Sequence, residues 1–502
     1  MPELAPHREL LLSIDQGTTN SKAVLVDFQG RVQALGSALV GTNAPAPGWV
    51  EQSADRVWAS VLEAMAACLA AGPATVVGVC LSTQRESVLA WRASTGEPVA
   101  PLIGWQDRRT AEWCATALEP GAGAIVRELT GLHIDPMFSA PKIRWLLDHL
   151  PAGTPVADVR VGTVDSWLLW KLTKGALHAC EAGNASRTLL FDVVGLDWSP
   201  DLLEVFGVPE HVLPAVQPSN GTFGQTRDVP GLPDGTPILA VMADSHAALY
   251  GQGCTTPGMT KATYGTGSSV MTPVDQFTTT GSSVPTTLAW LTDRPTYARE
   301  GNILSSGATL AWAADLLTAG RVFDLMRLAA SVPDSGGVHL VPAFSGLGAP
   351  HWDRDAQGLI SGMSQATTGA HLARAAVDAV AHQICDVVDV IELDQPLTAF
   401  RADGGVTVSD LVMQTQADLL GRPVQVADVA EVSALGVARL GWQNLASGDG
   451  RTTGLEPDAS RTFVSTLEPD ERDRRRVGWR DEVLRARMVP RPTRASYQTA
   501  AG

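Results

Sequence analysis

Residues 10–28, LLLSIDQGTTNSKAVLVDF, put a short polar bend between two apolar runs. In so tight a bend the backbone N–H groups of Gly17, Thr18 and Thr19 can converge on one point, the arrangement that forms an anion nest. The hydroxyls of Thr18 and Thr19 add donors, and Lys22 adds charge. Asp15, at the end of the first run, is acceptor-only when ionised. It would repel phosphate unless a divalent cation stood between them, so the set makes chemical sense as a phosphate site with Mg2+. A plain turn draws the same residue types, and the stretch alone leaves both readings open.

Three further stretches carry chemistry. In VMADSHAALYG, Asp244 follows an apolar strand and opens a helix. Ligands gather at the C-terminal ends of parallel strands, where a carboxylate can take the proton of a substrate hydroxyl; an N-cap is the other reading. In STQRESVLAW, Arg85 offers fixed donors and Glu86 acceptors, a pair suited to adjacent hydroxyls of a polyol and equally found as a solvated ion pair. Trp105, in GWQDRRTAEW, could wall a carbon chain. Glycines in SSGATLAW and RADGGVTVSD would let backbone approach a ring or phosphate closely. His351 and Trp352, in the long loop FSGLGAPHWDRDAQG, have no metal-ligand spacing and read as structural.

The elements that must position these residues alternate between strand and helix patterns. TVVGVCLS (75–82) is β-rich, and RVWASVLEAMAACLAA (56–71) has helical spacing. ADVRVGTVDSWLLWKLT (157–173) and TPILAVMADSHAALYGQG (236–253) each pass from strand into helix, which argues for an α/β fold. GMTKATYGTGSSVMTPV (258–274) repeats the opening logic of apolar run, Gly-Thr bend, apolar run. A duplication would set two such hairpins across a cleft; chance recurrence of a common pattern is the alternative. The expected division is residues 1–249, 250–480 and a mobile basic tail, 481–502.

The chain has 502 residues, 45% hydrophobic and 18% charged, with a net charge of -16. That acidity disfavours nucleic acid and anionic membranes as partners while leaving room for a local anion site. The six cysteines are scattered without metal spacing and read as free thiols of a reducing cytosol. MPELAPHREL has no signal-peptide pattern, and no run reaches the ~18 apolar residues of a membrane span. The expected location is therefore cytoplasmic.

In register, DQGTTNSKA, TQRES, WQDRRTAE, GLHIDPMFSAPKIRWLLDH, GTVDSWLLWKLT, NASRT, TYGTG, VPAFSGLGAPHWD, ADGG and SALGVA resemble the FGGY carbohydrate kinases, and among them most the glycerol kinases. The resemblance runs from about residue 10 to about 480. It implies a two-domain actin/hexokinase-like (ribonuclease H-like) ATPase fold with the ligand cleft between domains, ATP and Mg2+ as cofactors, and a small polyol as substrate; it admits a homodimer. It implies Asp15 and Asp244 at the metal, and Asp244 as general base. Thr18, Thr19, Lys22, Thr266, Gly267, Gly307, Gly404, Gly405 and Ser409 would lie at the nucleotide. Arg85, Glu86, Trp105, Met137, Asp244, Ser245 and Ser269 would lie at the substrate.

Several positions depart from the resembled pattern. Lys22 stands where Arg is usual and Ser409 where Asn is frequent. Met137, Ser245 and Ser269 stand where a glycerol kinase has Tyr, Gln and Phe. The lost ring implies a longer polyol, a tetritol or pentitol, unless neighbours refill the space and glycerol is kept. A ketose kinase, or a non-kinase ATPase or sensor of the same fold, are the alternatives. Pro237, in place of the Arg of a Gly-Thr-Arg loop, implies no inhibition by a sugar bisphosphate.

Overall fold

Leu10, Leu11, Leu12 and Ile14 make a nearly continuous apolar run, which suits a strand covered on both faces. In the computed structural model, which describes residues 9–72, 75–279, 282–427, 431–449 and 459–488, they form β1 (Glu9–Gln16), the middle strand of a five-stranded sheet. Beside it lie β2 (Asn20–Val26) and then β3 (Val32–Leu39), each antiparallel to its neighbour. On the other side lie β4 (Thr75–Thr83) and then β5 (Ile238–Ala243), both parallel. Helix α1 (Ala54–Leu69) connects β3 to β4 and is capped by Ser53, whose side chain accepts from Arg56 N.

The second half repeats this plan. β6 (Met259–Tyr264), β7 (Ser268–Val274), β8 (Thr286–Leu291), β9 (Pro295–Ile303), β10 (Ala399–Asp403), β11 (Val424–Ala427) and β12 (Ala459–Phe463) form a seven-stranded sheet in the order β8-β9-β7-β6-β10-β11-β12. Its five central strands match β3-β2-β1-β4-β5 in order and direction, antiparallel to one side of β6 and parallel to the other. The two Gly-Thr bends are therefore equivalent turns of a duplicated unit. Between β4 and β5 a long insertion carries its own small sheet, in which Val88–Arg92 pairs antiparallel with Val159–Thr163.

Each unit ends in a helix after its last parallel strand, α2 (Asp244–Gly251) after β5 and α6 (Val432–Asp449) after β11. The helices between them include α3 (Gly307–Leu317), α4 (Gly369–Glu392) and α5 (Asp410–Leu420). The two terminal helices cross in contact. A Cβ on Gly436 would lie 1.8 Å from the Ala247 carbonyl oxygen, and one on Gly251 would lie 2.4 Å from that of Val432. Glycine on both sides is what permits backbone to approach backbone here. Although α6 comes from the second half, its Val437, Leu440 and Trp442 bury with Leu11, Cys80 and Met242 of the first sheet. Its Ala434 and Ala438 cover Val24 and Val26.

The tail expected from residue 481 is corrected in part. Residues up to Met488 continue α7 (Pro469–Met488), with Val483 and Ala486 buried because they share the core-facing side with Trp479. Residues 489–502, like 1–8, lie outside the described residues. Among the described residues, no helix is long and apolar enough to cross a membrane. The six cysteines are unpaired, five of them buried.

Candidate active site

Strand register brings the candidate acids to one edge. Asp15 pairs with Ser82 on β4, and Ala243 pairs with Thr83, so Asp15, Arg85 and Asp244 all emerge where three parallel strands end. Ser82 Oγ donates to Asp15 Oδ1 at 2.8 Å. Burial, reinforced by the negative charge of Asp244, pushes the Asp15 carboxyl up to about 7. Burial also raises Asp244, against the opposing pull of Arg85. Asp244 is the first residue of α2, and its Oδ1 accepts from Ser245 N at 2.6 Å and from Ser245 Oγ at 3.2 Å. Asp15 and Asp244 are half-buried carboxylates, and with the charge of Asp244 raising Asp15 their shared edge is a place where a cation is favoured. No group of three or more protein metal ligands occurs among the described residues. The pair suits Mg2+, which keeps water and phosphate oxygens in most of its coordination sphere.

Arg85 is held from the other half of the chain. Its Nη1 and Nη2 donate to the two carboxylate oxygens of Glu300, on β9, at 2.9 and 2.6 Å. Its Nε then lies 3.6 Å from Asp244 Oδ1 and 3.8 Å from Glu86 Oε1. Arg187 completes the cluster, donating from Nε to Glu86 Oε1 at 2.7 Å with Nη1 3.1 Å from Glu300. Burial alone would raise Glu300, but the charges of Arg187 and Arg85 prevail and hold it well below the carboxylate range. Glu86 has φ 61°, a left-handed conformation that is unusual outside glycine and is found at ligand sites. Ser269 Oγ donates to Glu300 Oε1 at 3.4 Å, which joins the β7 position to the same cluster. His246 is buried and kept neutral by desolvation, and then by Arg85, whose Nη1 is 3.4 Å from its Nε2.

Trp105 is exposed for 37% of its surface, and its indole N–H donates to Thr18 Oγ1 at 3.0 Å. The apolar wall and the first bend are thereby tied together. Beneath it, Lys142 is fully buried and donates to the carbonyls of Gly104 at 3.2 Å and Met137 at 2.7 Å. Met137 is half-buried against the core of the insertion. The loop after Trp105 is pinned by Asp107, which accepts from Val50 N at 2.6 Å, and by Arg109, stacked on Trp49 and Trp145. Lys142 and Trp145, both in the GLHIDPMFSAPKIRWLLDH stretch, thus support the wall from behind.

Burial lowers Lys142 to about 7, and a neutral amine still has two N–H groups for its two carbonyls. Its folded value lies below its unfolded one, so its contribution to stability is complete above about pH 10.4 and is lost as pH falls to about 7. Lys142→Met removes this dependence. The wild-type minus Lys142→Met difference in Tm is expected to grow between pH 7 and 10 and to be flat below 7. A thermal-shift series with a constant difference across that range would refute it.

At the second Gly-Thr bend, the β6–β7 turn meets the start of α3. Gly265 N donates to Gly267 O at 2.8 Å, Gly307 N to Gly265 O at 2.9 Å, and Ser306 N to Thr266 O at 2.9 Å. Gly404 has φ 97° and lies against the Tyr264 backbone, where a Cβ would be 2.5 Å from the carbonyl oxygen. Ser409 caps α5 through Val412 N. Thr19, Thr266, Gly404 and Gly405 are exposed. Lys22 forms a 2.7 Å ion pair with Glu431, just before α6, so its charge is already engaged. His351 lies 3.2 Å from Asp386, and the indole of Trp352 donates to Ser283 O; neither belongs to this constellation.

The sequence profile of the FGGY family of carbohydrate kinases, N-terminal domain, matches residues 10–251, and that of its C-terminal domain matches residues 260–444. The chain belongs to the FGGY family of carbohydrate kinases. FGGY kinases use ATP to phosphorylate small carbohydrates and polyols, and the chain is such a phosphotransferase. It is similar to the apulose kinase of Pectobacterium atrosepticum, 42% identical over 96% of this chain and 99% of that protein. It is also similar to the glycerol kinase of Bordetella parapertussis, 41% identical over 96% and 98%. Among solved structures, the glycerol kinase of Plasmodium falciparum with ADP superposes with a TM-score of 0.89 at 27% identity, covering 96% of this chain and 99% of that one. The FGGY motifs TQRES and NASRT contain Arg85, Glu86 and Arg187, yet nothing in their spacing pairs them. Glu300, in an unremarked strand, carried no signal of its own.

Proposed function

We propose that this kinase transfers the γ-phosphoryl group of ATP to a terminal hydroxyl of a polyol or ketose of four or five carbons. The observation that carries the reading is Asp244 beside Arg85 and Glu86 at the edge where Asp15 also ends. Asp244 would accept the proton of the attacking hydroxyl. Arg85 and Glu86 would hold neighbouring hydroxyls and Trp105 the carbon chain. Asp15 and Asp244 would hold Mg2+ through water, which when bound neutralises charge on the transferring phosphoryl group. Thr18, Thr19, Thr266 and Gly267 would position the phosphates, and Gly307, Gly404, Gly405 and Ser409 the nucleoside. We propose a cytoplasmic location, in keeping with six unpaired cysteines.

Two small hydroxyl side chains support a substrate longer than glycerol. Ser245 is turned to Asp244 and Ser269 to Glu300, each bonded to an acid of the cluster. The relatives name both a triol and, by its ending, a ketose, at nearly equal identity. A coupled ADP assay over glycerol, erythritol, ribitol, D-ribulose and D-xylulose is expected to favour a C4–C5 compound by about tenfold in kcat/KM, the order that a few pocket contacts supply. A tenfold preference for glycerol over every longer compound would return the assignment to glycerol.

A further inference from the structure

We infer that Glu300 is a positioning residue for the substrate clamp, and that the second half of the chain thereby sets the geometry of a substrate site built mostly by the first. The inference rests on the kinase reading for its functional part alone. Glu300 meets the clamp most closely at Arg85, and reaches Glu86 through Arg187 and the β7 position through Ser269. It is 1% exposed, and its carboxylate meets both terminal nitrogens of Arg85 in the planar two-bond geometry that fixes a guanidinium in orientation as well as place.

The consequence for Arg85 is specific. With the Nη1 and Nη2 pair turned to Glu300, the Nε edge is the one that faces Asp244 and Glu86. Arg85 follows β4 of the first sheet and Glu300 lies on β9 of the second, with 215 residues between them in sequence. Two neighbours hold Glu300 in turn: Arg187 at 3.1 Å, itself bonded to Glu86, and Ser269 at 3.4 Å. The clamp is therefore a closed ring of alternating charge, Arg85–Glu300–Arg187–Glu86, and one member comes from across the domain boundary. A displacement of β9 moves Arg85 off the Asp244 edge, and substrate binding requires the second sheet to be in place.

Glu300→Asp tests this, because it keeps the charge and shortens the arm by one methylene. The KM for the best compound of the panel is expected to rise by about tenfold or more, with KM for ATP and the ATP-induced rise in Tm within about threefold and a few degrees of wild type. Should that variant lose nucleotide binding as well, Glu300→Gln, of native length, carries the same expectation. A crystal structure of Glu300→Asp reads the inference without any substrate: the Arg85 guanidinium is expected to leave its place beside Asp244. An empty panel with a displaced Arg85 would overturn the proposed substrate class and leave the positioning role standing. An Arg85 that keeps its place, or losses shared equally by KM for both substrates and by kcat, would overturn the positioning role.

Discussion

Asp244→Asn is expected to lower turnover by about three orders of magnitude while nucleotide affinity stays within about twofold of wild type. The substitution preserves shape, so Ser245 N and Oγ can still reach the side-chain oxygen. What is lost is the capacity to accept a proton and the negative charge opposite Arg85 at 3.6 Å. Because phosphoryl transfer needs little covalent help, part of the loss comes from misplacing the hydroxyl and the metal rather than from the base alone. Steady-state assays with saturating substrate, beside calorimetric titration with a non-hydrolysable ATP analogue, separate the two. Turnover within tenfold of wild type would remove Asp244 from the base role.

Gly436→Ala is expected to unfold or nearly unfold the protein, with a fall in Tm of about 10 °C or complete loss of soluble material. The added methyl would lie 1.8 Å from the Ala247 carbonyl oxygen and 2.8 Å from the Gly251 nitrogen. Both are backbone atoms, which cannot rotate aside as a side chain can, so α2 and α6 must separate. Their contact holds Val437, Leu440 and Trp442 in the first sheet's core, and the strain reaches all of it. Gly405→Ala is the control: a Cβ there meets nothing within 4 Å, and its Tm should stay within about 2 °C of wild type. Equal Tm values for the two variants would contradict the crossing geometry.

How much of this was legible in the sequence depends on whether a residue acts through its local pattern or through a distant partner. The Gly-Thr bends, the strand before Asp244 and the α1 periodicity are local, and the folded chain carries them within a residue or two of their expected ends. The duplication was visible as two hairpins but became a shared topology only through pairing order, which no local pattern encodes. Lys22 shows the same limit: its type suggested a phosphate ligand, and the fold gives it Glu431, 409 residues away in sequence. Arg85 and Glu86 looked like a pair in sequence, yet each takes its closest ion-pair contact from elsewhere, Arg85 from Glu300 and Glu86 from Arg187. Residues 481–488 were misjudged as tail because Arg-rich composition masked the spacing of Trp479, Val483 and Ala486, whose burial depends on the core they meet.

The placement of α6 has a consequence for how the protein is made. A ribosome delivers all five strands of the first sheet once residue 243 is out, but the helix that covers Leu11, Val24 and Cys80 is not complete until residue 449. Over that interval of some two hundred residues, the face of the first sheet that α6 covers lacks most of its lid. A fragment ending near residue 251 is thus a client for chaperones rather than a free-standing unit, whereas the same fragment supplied with residues 431–449 on a separate peptide has the missing lid and should be rescued into solution.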